Sequence, residues 1–237
     1  MKMNNRDTKI IKRAKDEIKS TSPSEHIFNL MTAALASLPI GASIGSLLKD
    51  YIPSAKFKRI EDFAKQLGED LKRLSDKIDQ DYITRDEFAY MFEQAFRGVS
   101  QNYHKDKIEA FRGVLLNSAI RQDIKQEEKE FYLSLVNSLS VLHIRILKFL
   151  ADPRSYVQEQ KMDPNSLQGG FSDIFRKLMP EMDLSILESS FGDLFQLGFI
   201  NTDKSIFHTM TAASGLQLVG DRVSNLGKKF IEFCKSP

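Results

Sequence analysis

Apolar residues along most of the chain recur at steps of three and four, the period of helices that bury one face. Between residues 57 and 80, Ile60, Ala64, Leu67, Leu71, Leu74 and Ile78 follow this period, while Lys58, Glu61, Glu69, Lys72 and Asp76 fall opposite them. That pattern predicts a bundle helix with one solvent face. Thr84-Arg85-Asp86-Glu87 has the spacing of a capping box and predicts the start of a helix whose Phe88, Met91, Phe92, Ala95 and Phe96 form a wide apolar face. Two further helices are expected around Ile108 to Ile120 and Phe131 to Leu139. Val141 to Leu150, VLHIRILKFL, is apolar on most of its circumference and must be covered.

The pattern then changes. Asp152 to Gly170 holds two prolines and a Gly-Gly, which suggests a long loop or one short strand. Helices are expected at about 171–179 and at 183–197, the second drawing on Ile186, Leu187, Phe191, Leu194 and Leu197 and stopped by Gly198. Phe199-Ile200, Ser205 to Thr211 and Leu216 to Val219 resemble short strands, with Ala-Ala-Ser-Gly turning between the last two. Ser224 should cap a closing helix through Leu226, Phe230 and Phe233. Helices, a hairpin and a closing helix is the order of a winged helix. The expected fold is therefore mainly α: a basic segment at 1–21, a helical bundle at 22–139, and a winged-helix-like α+β domain at 140–237.

The N-terminal part holds two unusual stretches. Residues 1–20 carry seven basic and three acidic side chains, with Ile10, Ile11, Ala14 and Ile18 at helical spacing, which makes a basic amphipathic segment. Ser22-Pro23-Ser24-Glu25 combines cap-box spacing with proline at the first helical position. Ile27 to Leu48 then runs for 22 residues without a formal charge. Its length admits a membrane role; Pro39 and Gly41 favour two short helices packed as a buried hairpin. Gly41 and Gly45 have the spacing that allows close helix packing.

Composition narrows the chemistry. A formal net charge of +2 from 34 basic and 32 acidic residues provides no whole-molecule field for nucleic acid. Cys234 is the only cysteine, which excludes an internal disulfide and a cysteine-based zinc site and favours a reducing, cytoplasmic location, with membrane association through residues 27–48 as the alternative. The N-terminus lacks an apolar signal core, so secretion is not expected. His26, His104, His143 and His208 are too widely spaced to form a ligand set in sequence. The Asp76 to Glu87 spacing invites comparison with a calcium loop, but Ile78 replaces the second acidic ligand and Asp81 stands where glycine must turn. No phosphate-binding glycine loop or serine-hydrolase elbow occurs. No catalytic residue, cofactor or metal is assigned, and a non-enzymatic protein is expected.

Within the C-terminal part, DLSILESSFGDLFQL would enter the DNA groove of a winged helix, yet it carries Asp183, Glu188 and Asp193 and no basic residue. Phosphates repel such an element. Weak nucleic-acid contacts are left to Lys204, Arg222, Lys228 and Lys229, which makes DNA the disfavoured partner and a protein partner, or self-association, the favoured one.

Leu116-Asn117-Ser118-Ala119, EEKEFYLSLVNSLSVLHIRILKFL at 127–150, LFQLGFI at 194–200 and VSNLGKKFIEFC at 223–234 resemble the bacterial Abi-alpha family, which is linked to abortive phage infection. The resemblance covers roughly the last half of the chain. It implies a component of phage defence or stress response, and it supplies no functional residue to carry over. The competing expectations are a DNA-binding winged-helix regulator and a membrane-acting effector using residues 27–48.

Overall fold

The computed structural model describes residues 54–209 and 215–237. The expectations placed on residues 1–53, among them the basic segment, the charge-free run and the Gly41/Gly45 pair, lie outside the described residues.

The chain divides into two compact units. Of the described residues, the first takes 54–103 and 115–126, and the second takes 104–114 and 127–237. The sequence pattern instead groups everything from 22 to 139 together.

In the first unit, α1 (Ser54–Arg73) buries Ile60, Phe63, Ala64, Leu67 and Leu71 along the stripe that the heptad pattern marks. The helix ends at Arg73 rather than near residue 80. A 3-10 turn at Ser75–Lys77 follows, and Asp79 caps a single further turn, α2 (Gln80–Ile83), by accepting from the backbone N–H groups of Asp81 (3.1 Å) and Tyr82 (3.0 Å). Thr84 closes this turn, its hydroxyl donating to the Asp81 carbonyl at 2.8 Å. It does not cap α3 (Asp86–Gln101), whose N-cap is Arg85 without a side-chain bond. The apolar face of α3 is buried as the spacing predicts, and Phe63 meets Phe96 edge to face at 5.3 Å.

Helix α4 (Lys105–Ile120) gives residues 105–114 to the second unit and 115–120 to the first. The second unit continues with α5 (Gln126–Ser138) and α6 (Val141–Ala151). Leu142, Ile144, Ile146, Leu147, Phe149 and Leu150 of α6 are all buried, so the apolar circumference is covered. Lys107 of α4 is 6% exposed, and its ammonium donates to the carbonyls of Asn137 (3.0 Å) and Leu139 (2.8 Å) at the end of α5. Burial pushes its pKa down. At Gly113 a Cβ would stand 2.0 Å from the Cys234 carbonyl oxygen, so only glycine permits this approach.

Asp152-Pro153 opens α7 (Pro153–Glu159), where the sequence pattern suggests a long loop or one short strand. Asp152 accepts from the Ser155 N–H at 3.1 Å, and proline at the first helical position needs no partner for a missing donor. A 3-10 turn at Pro164–Ser166, capped by Asp163, precedes α8 (Phe171–Leu178) and α9 (Leu184–Gln196). Gly198, at φ +75°, ends α9 as expected. The final helix is α10 (Asn225–Cys234), and Ser224 caps it by accepting from the Gly227 N–H at 3.0 Å.

The winged-helix-like α+β expectation is overturned. No strand forms among the described residues; the β pairing there is one isolated antiparallel bridge, Ile200 to Val223. Lys204–His208 and Gly215–Leu218 are 3-10 turns, and the turn between the expected strands lies mostly outside the described residues. Asp203 starts the first by accepting from the Ser205 N–H at 2.9 Å. Phe207 then drops alone into a cluster with Phe171, Phe175 and Phe191, at ring separations of 5.1, 5.2 and 5.3 Å. One anchored residue replaces the alternating face that a strand would need.

Candidate functional site

The acidic helix lies against this cluster. On its inner side α9 buries Leu187, Ser190, Phe191 and Leu194. The residues flanking it hold its carboxylates one by one. Asp183 accepts from the Ser185 hydroxyl (2.6 Å) and N–H (2.8 Å) at the N-cap, and these bonds hold its pKa below the usual carboxylate range. Glu188 meets His208 Nε2 at 3.3 Å, and Asp193 meets His143 Nε2 at 3.3 Å. Ile186 and Leu197, although part of the expected apolar face, are each 48% exposed. They stand eleven residues apart, so they share one outward line about 16 Å long. Exposed Ser189 and Asp193 lie between them.

The contact at His143 assembles a serine, a histidine and an aspartate. Ser140 Oγ stands 2.7 Å from His143 Nδ1, and Asp193 is on the other ring nitrogen. The backbone N–H of Ser140 also donates to Nδ1 at 3.1 Å, which assigns the ring proton of the neutral form to Nε2 and directs it to Asp193. Ser140 Oγ in turn accepts from the His143 N–H at 3.3 Å. This is the reciprocal geometry of a capping box at the start of α6, tied to α9 through the far ring nitrogen. It positions two helices.

A mixed-charge cleft of about 490 Å³ lies at the other end of α6, with Glu109, Lys148, Asp152, Tyr156, Cys234 and Lys235 in its lining. Lys148 is committed to Asp106 at 2.8 Å, with Glu109 at 3.9 Å. Burial pushes the Cys234 thiol far up, away from a reactive thiolate. Among the described residues no group of three or more His, Cys, Asp or Glu side chains could hold a metal ion. No single described helix is long and apolar enough to cross a membrane.

The four basic residues named for nucleic acid have varied surroundings. Arg222 is half-buried, donates to the Leu218 carbonyl (2.6 Å) and Thr202 Oγ1 (3.0 Å), and lies 5.5 Å from the Phe171 ring centre. Burial lowers its pKa. Lys228 pairs with Asp221 at 3.7 Å, and Lys229 is exposed. The stem of Lys204 covers Gly192, where a Cβ would meet its Cδ at 3.3 Å.

LFQLGFI and VSNLGKKFIEFC form one joint. The Ser224 N–H donates to the Phe199 carbonyl at 2.9 Å, the Ser224 hydroxyl to the Gly198 carbonyl at 2.6 Å, and the Asn201 N–H to the Arg222 carbonyl at 2.8 Å. Phe199 stacks near Phe230 at 5.2 Å. A Cβ on Gly227 would stand 2.3 Å from the Phe199 carbonyl oxygen, so the glycine lets α10 start against this turn. No family model, curated protein or solved structure matches the chain.

Proposed function

We propose that the protein acts by contact with other proteins rather than by catalysis, as a component of bacterial phage defence, and that the outward face of α9 is the contacting surface. The observation that carries the contact reading is the pair of large aliphatic side chains, Ile186 and Leu197, exposed on a helix whose polar neighbours are already engaged. An apolar line rimmed by polar groups is the usual layout of a protein-binding patch. The defence role draws on the likeness of residues 116–119, 127–150, 194–200 and 223–234 to the Abi-alpha family. The test is plaque formation on cells expressing the protein and challenged with a panel of phages. The wild type is expected to reduce plaquing by at least one phage, and Ile186→Asp with Leu197→Asp to abolish the reduction while the circular dichroism stays native. Undiminished protection by the double variant would remove α9 from the reading.

A further inference from the structure

The outward face of α9 has a charge as well as a shape. From Asp183 to Leu197 the chain carries three carboxylates and no lysine or arginine; Asp193 stands on the line of Ile186 and Leu197, while Glu188, 19% exposed, lies on the other side of the helix. Asp193, beside His143, keeps 61% of its side chain exposed, so the face presents a carboxylate to a cation. A complementary partner is an amphipathic segment with aliphatic residues along one side and cations beside them. The same chain carries one: in residues 6–20, Ile10, Ile11, Ala14 and Ile18 recur at helical spacing among six basic residues, Lys9, Lys12, Arg13 and Lys15 at their centre, against the three acidic residues Asp7, Asp16 and Glu17.

We infer that the face of α9 bearing Ile186, Asp193 and Leu197 binds the basic segment 6–20 of a second copy of the protein. The inference rests on the contact reading above and names the occupant of that surface. The two halves of such a contact are different, so it is heterologous: each molecule offers one segment and one face, and association continues from copy to copy.

This asymmetry sets the experiment, sedimentation velocity of the full chain over a range of concentrations. The wild type is expected to self-associate as concentration rises and to lose association in high salt. Lys12→Glu with Arg13→Glu and Lys15→Glu breaks the segment, and Ile186→Asp with Leu197→Asp breaks the face; each variant alone is expected to associate about tenfold more weakly. Mixed together, they retain one intact segment and one intact face, and are expected to form a one-to-one complex and nothing larger. A wild type that stays monomeric at every concentration would overturn the inference. So would a triple variant that associates as the wild type does, or a mixture that fails to pair, the result expected if two α9 faces met each other or if another protein occupied the face. If these fail while the double aspartate variant still loses phage protection, the contact reading survives with a different occupant.

Discussion

The α1–α3 pair and the surroundings of α9 are both helical and both buried, yet they are held in different ways. In the first, apolar side chains repeat turn after turn, and each contact, such as Phe63 on Phe96, has neighbours of the same kind along the helix. In the second, short elements are fixed by single events: one phenylalanine ring, one capping aspartate, one glycine under a carbonyl. Repetition spreads the loss from a substitution over many contacts. Single events concentrate it.

The largest expected effect falls on the aromatic cluster. Phe191 is fully buried and lies 5.4 Å from Phe171, 6.2 Å from Phe175 and 5.3 Å from Phe207. Phe191→Ala should therefore cost about 3–5 kcal/mol in urea unfolding, the range for an emptied aromatic site. A loss below about 1 kcal/mol would show that the cluster collapses around the cavity.

The sharpest contrast comes from two small changes. Gly227→Ala adds one methyl group, but against the Phe199 carbonyl oxygen and, at 2.7 Å, a Val223 methyl group. A cost of about 1–3 kcal/mol is expected for this overpacking. Leu67→Met, in the fully buried stripe of α1, reshapes a whole side chain yet should cost less than about 1.5 kcal/mol because volume is conserved. Reversal of that order in urea melts would erase the distinction between the two regions.

The smallest effect is at Asp183. Its carboxylate pKa is held down by the Ser185 hydroxyl and N–H, so its contribution is present above the unfolded pKa, about 3.9, and is lost as pH falls through the folded value. Asp183→Asn keeps a cap without titrating. The acid-induced shift of the Ser185 amide resonance should disappear in that variant, while remaining in Phe191→Leu.

The same contrast decides what could be read from the sequence. Periodicity marks Ile60 to Leu71 and Phe88 to Phe96 because helix packing there is repetitive. The caps at Ser224 and the stop at Gly198 are legible because each is a local rule. Asp152-Pro153 carries the same kind of start signal as Ser22-Pro23, yet the glycines and second proline that follow obscure it. Ser140 to His143 has cap-box spacing with histidine in place of the usual Glu or Gln. Over 205–209 the apparent strand fails because a 3-10 turn there buries one ring, Phe207, a tertiary fact that no local period records. Ile186 and Leu197 fit an apolar helix face, but at 100° per residue they stand roughly 80–100° to one side of Leu187. Whether that flank is covered depends on what packs there, and this is why the candidate surface emerges only from the fold.

The division within α4 bears on synthesis and on dissection of the chain. Residues 104–114 leave the ribosome before 115–126, but they belong to the unit completed by 127–237. Their apolar side chains, Ala110, Phe111 and Val114, must wait for partners more than a dozen residues downstream while the intervening stretch is claimed by the first unit. A nascent chain therefore holds a half-satisfied helix during the second half of translation, a point at which a chaperone can engage it. For the same reason no single cut separates the units. A fragment beginning at residue 140 would lack Phe111 and Val114, and with them both Lys107 and the Leu139 carbonyl that its ammonium closes, whereas one beginning at residue 104 would retain all four.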